Sequence, residues 1–443
     1  MGDFPQLFFR TIEEVKMEMQ VSKFHKVSGR RTLLFGFLAL VFGLIIIVNG
    51  FRFTQLAFDF ISLYLTVVGL VNIVLHVFTR KKEGAVWHSL LQIAVAMGIS
   101  WLNRISDVPV NIVIISLGSY QLLTAGIYGM TYLLYRQNHV KGGLRYLFDT
   151  ILYGGIGLTS ILLPATDGHL QFLILGIYLM MLGMSNIRDG LFFDNDWEKH
   201  RLRRQIRINL PIIFAAFIPV ENLERFNRLI QGDAASDRKN VYSLVKSGEK
   251  KSDLEVLVHT SKTSLLGAIG HVDICYQGQV ISYGSYDVFS ERCKGMIGDG
   301  VLFKVPKDAY IELCKKESKK TLFGYSLALT DKEKEAVEKR LAEIDQLLVE
   351  WEPPAELKNG QPTYSYKLKH ELGAQLYKFK TSRFKTYFVL STNCCLLADS
   401  IIGQAGTDIL DIRGIIAPGT YQSYLQYEFE SARGLVIAQT VYQ

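Results

Sequence analysis

The pattern of apolar and polar positions changes character partway along the chain. From 32 to 191 the apolar residues run in long blocks, each near the ~20 residues a helix needs to cross a hydrocarbon core, and charges are confined to short stretches between them. From 194 onward the charges are dense and the apolar runs shrink to strand length. The first part predicts six membrane spans, at 32–50, 56–78, 86–103, 108–135, 146–163 and 170–187. Gly69, Gly126 and Gly183 recur every fifty-seven residues, and twice that step pairs Gly43 with Gly157, as three helical hairpins would if small residues let their backbones meet. The second part predicts strands at 255–259, 271–276, 279–283, 322–329 and 386–390. A tight turn is expected at Gln277-Gly278, and a helix over 332–349 with Asp331 as its cap. The apolar stretch 210–220 is too short to span. The expected organisation is an N-terminal segment 1–30, a six-span α-helical membrane bundle 31–193, a basic juxtamembrane linker 194–230 and a soluble α+β domain 231–443.

Charge adds an orientation. Lys23, Lys26, Arg30 and Arg31, then Arg80, Lys81 and Lys82, then Arg136, Lys141 and Arg145, then Lys199 to Arg207 fall on one side of the expected spans, with little beyond Arg52 and Arg104 on the other. The positive-inside rule then makes both termini cytoplasmic in a multi-pass cell-membrane protein. Glu13, Glu14 and Glu18 argue against a signal peptide. The net charge of +7 is modest and clusters beside the spans, so the expected partner is the lipid bilayer and not nucleic acid. Asp59, His76, His88 and Asp149 lie close to span ends and read as interfacial residues.

The five cysteines are odd in number, all lie in the soluble half and lack metal-ligand spacing, so reduced thiols with no metal and no cofactor are expected. Cys275, Cys293 and Cys314 read as core residues. Candidate chemistry sits at two places far apart. Gly270-His271-Val272-Asp273-Ile274 opens a strand that turns back through Val280-Ile281-Ser282-Tyr283-Gly284. Asn393-Cys394-Cys395 stands where a strand ends and a helix begins, with Asn393 as the expected cap. A cysteine at a helix N-terminus gains thiolate character, and a nearby imidazole can hold its proton. The glycines of GMIGDG, 295–300, read as a turn because no Lys-Ser/Thr follows.

The glycine-rich three-hairpin pattern over about 30–190 resembles the HdeD-like family of small bacterial membrane proteins, a likeness that implies little about activity. The two motifs at Gly270-His271 and Asn393-Cys394, in that order, resemble the circularly permuted papain-like thiol enzymes over about 250–410, a group that includes NlpC-type hydrolases and the lecithin retinol acyltransferase family. The resemblance implies Cys394 as nucleophile and His271 as base. In that group a third polar residue follows about a dozen positions after the histidine, where this chain has Ser282 or Tyr283. Cys395 is the fallback nucleophile. His259, twelve residues before His271, is the alternative base.

The reading is a membrane-tethered, cytoplasm-facing cysteine hydrolase or acyltransferase acting on an amide, ester or thioester, with lipid-linked or membrane-protein substrates favoured by the tether. The rivals are a non-enzymatic membrane protein with a stress-response or scaffold role, and a transporter with a soluble regulatory domain. The charge asymmetry predicts that cysteines introduced near Arg52 or Gly168 react with an impermeant reagent added outside intact cells, while a reporter fused after Gln443 behaves as cytoplasmic. External labelling of the soluble half would reverse the orientation.

Overall fold

The computed structural model describes residues 29–79, 84–191, 206–207, 241–245, 254–260, 270–318, 321–357, 359–405, 410–411, 418–430 and 436–442. The short apolar stretch at 210–220 lies outside them, as does most of the basic run before it. The chain divides into two compact units, one helical and drawn from 34–132 and 144–187, the other built mainly from the C-terminal half.

The helical region comprises α1 (Gly29–Thr79), α2 (Gly84–Ile105), α3 (Val108–Gln137), α4 (Leu144–Leu162) and α5 (Pro164–Leu191). Asn49 breaks α1, its φ of −143° and ψ of 41° lying outside the helical region, close to the expected join between the first two spans. Among the described residues three helices are long and apolar enough to cross a membrane, at Arg30–His76, Val108–Gln137 and Gly168–Arg188. Helices α2 and α4 coincide with two further expected spans and fall outside that set. Large apolar side chains such as Leu34, Phe35, Phe60, Trp101 and Leu162 face outward. Water penalises so much exposed apolar surface, and lipid does not.

Small residues close the helix contacts. A β-carbon on Gly43 would meet the Gly176 carbonyl oxygen at 2.7 Å, and one on Gly183 would meet that of Gly36 at 2.7 Å, so α1 and α5 approach to backbone distance. Gly118 and Gly157 bring α3 and α4 together in the same way. Gly126 has nothing within 4 Å of where a β-carbon would sit, and Gly69 meets the Ile93 side chain. The fifty-seven-residue spacing therefore does not mark three equivalent contacts, because glycine recurrence records composition and only packing assigns each one a neighbour. Inside this unit Gln121 and Gln171 exchange amide hydrogen bonds of 2.9 Å, with Ser160 accepting from Gln171. Asn103 donates to Asp59 at 2.9 Å, and Asp149 is buried with Arg145 one turn away at 3.9 Å.

The second unit is organised by a nine-stranded sheet of β1 (Val241–Val245), β2 (Leu254–Thr260), β3 (His271–Tyr276), β4 (Gln279–Gly284), β5 (Val301–Pro306), β6 (Thr321–Leu327), β7 (Leu348–Glu350), β8 (Gln375–Phe379) and β9 (Val436–Tyr442). Its order is β1-β9-β6-β2-β3-β4-β5-β8-β7 and every neighbouring pair is antiparallel. The β3–β4 hairpin turns at Gln277 and Gly278, both with positive φ, as a two-residue turn matched to strand twist requires.

Both sheet faces are covered. On one lie α7 (Asp331–Asp345), α9 (Cys394–Ile402) and α10 (Pro418–Glu430), packed through Val337, Ile344, Leu397, Ile401, Tyr421 and Leu425 onto Val256, Ile274 and Tyr283. On the other, α6 (Lys307–Ser318) and α8 (Tyr364–Leu372) pack through Tyr310, Cys314 and Leu368 onto Leu257, Cys275 and Phe303. The expected helix over 332–349 ends at Asp345, and Leu348 begins β7, because Leu348, Val349 and Glu350 pair with β8 instead of extending the helix. Its cap is Thr330, not Asp331. Thr330 and Glu333 form a reciprocal capping box.

The glycine contacts predict that Gly43→Leu lowers the thermal midpoint of the detergent-solubilised chain by several degrees, whereas Gly126→Leu leaves it near the parent value. Equal effects would mean that the α1–α5 contact does not hold the bundle.

Candidate active site

Strand alternation sorts the chemistry. In β3, Val272 and Ile274 enter the core beneath α9, while Asp273 and Cys275 point to the opposite face, where α6 lies. His271 opens the strand directly opposite His259 of β2, their ring centroids 5.7 Å apart and nearly perpendicular. Asp273 is fully buried, and its carboxylate joins the two histidines: Oδ1 is 2.9 Å from His271 Nε2 and Oδ2 is 2.6 Å from His259 Nε2. Tyr310 of α6 donates to Oδ2 at 3.0 Å. A buried carboxylate without such partners would be prohibitively costly.

The far end of the site is built by the segment before α9. Residues Ile297–Asp299 pair with Thr386–Phe388, and a β-carbon on Gly300 would strike the Tyr283 hydroxyl at 2.7 Å, so only glycine fits there. The GMIGDG stretch is thus a turn into this short ribbon. Thr392 donates to the Thr386 carbonyl at 2.8 Å, and Asn393 accepts from Leu396 N at 3.0 Å, which fixes Cys394 as the first residue of the helix. Here the Cys394 sulfur lies within electrostatic reach of the His271 ring and of the Val272 backbone N–H.

Electrostatics favour an ion pair. The Cys395 thiol, 4.0 Å from the Cys394 sulfur, and the His271 charge together outweigh burial and hold Cys394 well below the usual thiol range. For His271, burial opposes the charge, but the Cys394 and Asp273 charges more than offset it and raise the ring to about 10. Burial would raise Asp273 too, yet the two histidines keep it well below the ordinary carboxylate value. Cys394 is only 4% exposed, whereas the His271 side chain is 19% exposed and is the more accessible of the two.

The sequence-expected residues meet unevenly. His271 and Cys394 come together, and Ser282 reaches His271 with its Oγ 3.1 Å from Nε2. Tyr283 does not approach the imidazole; it points to the other sheet face and donates to the Phe384 carbonyl at 2.9 Å, bracing the segment that leads to Cys394. Side chains alternate along β4, so Ser282 and Tyr283 take opposite faces of the sheet. Cys395 is fully buried and its neighbour alone meets the imidazole. Cys293 is exposed, not core, because it sits in a turn where it, Lys294 and Gly295 all have positive φ. None of the five cysteines is in a disulfide. Asp273 and Tyr286, whose hydroxyl is 3.1 Å from His271 Nε2 and 2.8 Å from Ser282 Oγ, were not singled out from the sequence. An acid two residues after the histidine in an otherwise apolar strand was the available signal for Asp273. Comparison with protein-family models, with curated proteins and with solved structures finds no match.

The shifts predict a distinctive pH dependence of stability. His271, raised from 6.5 to about 10, contributes stability that is whole below 6.5 and lost as pH rises through about 10. Cys394, lowered from 9.0, contributes stability that is whole above 9.0 and lost as pH falls. Between 6.5 and 9.0 the two slopes oppose each other, so the pair's contribution is level there and declines only above 9.0. Cys394→Ser removes both the thiol titration and the charge that contributes most to raising His271, so the decline above 9.0 shrinks. Thermal melts across this range check it, and parallel curves for the two proteins would refute the ion pair.

Proposed function

We propose that this chain is a membrane-anchored thiol hydrolase or acyltransferase of the permuted papain-like type, attached by a six-span bundle with both termini in the cytoplasm. The observation that carries the reading is Cys394 at the first turn of α9, electrostatically engaged with the His271 imidazole, whose Nε2 meets a buried carboxylate at 2.9 Å. A histidine strand that precedes the cysteine helix, within an antiparallel sheet, is consistent with the permuted arrangement.

In the reaction the Cys394 thiolate attacks an amide, ester or thioester carbonyl, forming a C–S bond and moving the π electrons onto oxygen. The Cys394 backbone N–H, in the first turn where amides lack intrahelical acceptors, is the natural donor to that oxyanion. His271 gives its proton to the departing amine, alcohol or thiol as the scissile bond breaks, leaving a thioester on Cys394. Neutral His271 then takes a proton from water or from an acceptor alcohol or amine as it attacks the thioester, and the thiolate leaves. Water makes the enzyme a hydrolase, another acceptor a transferase. Asp273 keeps the imidazole oriented throughout. The membrane tether favours lipid-linked acyl groups or membrane proteins as substrates.

The burial of Cys394 favours the competing reading of a non-enzymatic binding or scaffold domain. Labelling by an acyl or vinyl-sulfone thiol probe at neutral pH separates the two. Because Cys293 is exposed, the measurement uses a Cys293→Ser background. Cys394→Ser should abolish labelling, His271→Ala should slow it by roughly 10²- to 10⁴-fold, and Cys395→Ser should leave it near the parent rate. No faster labelling than a free thiol would remove the enzyme reading.

A further inference from the structure

Asp273 is a carboxylate shared between two imidazoles, and only one of them faces the thiol. We propose that His259 is a positioning residue for the reactive pair: with Tyr310 it clamps the outer oxygen of Asp273 so that the inner oxygen stays on His271. The proposal rests on reading Cys394 and His271 as a functional pair.

A buried histidine is most often a packed core residue. Three observations set His259 apart. Its Nε2 lies 2.6 Å from Asp273 Oδ2 with both side chains sealed from solvent, at 2% and 0% exposure. The register puts it directly across from His271, so the two rings flank one carboxylate from adjacent strands. Tyr310 reaches the same oxygen at 3.0 Å from a different element, and its ring lies 5.8 Å from that of His259.

A carboxylate on a strand rotates about its last side-chain bond unless both oxygens are held. Ser282 and Tyr286 also lie at His271 Nε2, so an Asp273 free to turn would lose its place to two neutral hydroxyls. The thiolate would then lose the anion that stabilises its imidazolium partner. Among the described residues, the titratable groups facing His259 include Asp273 and His271 from β3 and Tyr310 from α6, with Cys314 packed in the same core; from β6 its cross-strand neighbour is Leu322, which does not titrate.

The test follows the rate of Cys394 alkylation by iodoacetamide against pH, in the full-length Cys293→Ser chain in detergent, with thiolate absorbance as a second readout. His259→Phe should move the acid limb of the profile upward by roughly one unit or more, the size expected when a nearby charge is lost. His259→Gln retains an N–H donor and should restore most of the shift, which a purely packing role would not produce. Tyr310→Phe removes one oxygen atom and should move the limb the same way by less. It reports even where the His259→Phe chain does not fold, and an unmoved limb in Tyr310→Phe overturns the clamp. Unmoved limbs in both His259 variants, beside a moved one in Asp273→Asn, overturn the role of His259 alone. An ordinary thiol profile in the parent chain would sink the thiol-enzyme reading, and this proposal with it.

Discussion

The Asp273 carboxylate, buried in the middle of a sheet, imposes the constraint on which the site is built. A charge there is tolerable only with compensating partners close by, and it draws them from three elements: His271 beside it, His259 across the strand pair and Tyr310 from the covering helix. The Cys394 and Asp273 charges raise His271, and the Cys395 thiol with the His271 charge lowers Cys394. Sulfur, imidazole and carboxylate thus alternate in sign along a short path. Removing any one strands a buried charge, so the same interaction that arranges the chemistry also ties it to the stability of the domain.

The fold serves this arrangement by crossing the plane of the sheet. Cys394 belongs to the core under α9, whereas Asp273 belongs to the core under α6. His271 bridges them because it is the first residue of β3, at the sheet's end. A histidine in the middle of that strand would be confined to one face. The ribbon formed by Ile297–Asp299 and Thr386–Phe388, braced by the Tyr283 hydroxyl, delivers the helix start to the same end.

The helical region obeys a different economy. With lipid-compatible surface outside, association depends on close backbone approach at Gly36, Gly43, Gly176 and Gly183 and on fully paired amides such as Gln121 and Gln171. Neither feature belongs to the Cys394, His271 and Asp273 cluster, which lies in the other unit.

Much of this was legible in the residues. Two apolar block lengths separated a helical part from a strand part. HVDICY and QVISY around Gln277-Gly278 specified a hairpin, and Asn393 before Cys394 specified a helix start, because period, turn residues and caps are local properties of the chain. Tertiary structure alone decided the neighbours. It put the C-terminal strand Val436–Tyr442 between β1 and β6, left Gly126 without a contact while burying Gly183, and exposed Cys293 in a strained turn. It also chose Asp273 and Ser282, not Tyr283, to meet His271. A sequence states which face of a strand a side chain takes, but what stands opposite that face comes from other strands and helices, whose arrival is set by packing over the whole core.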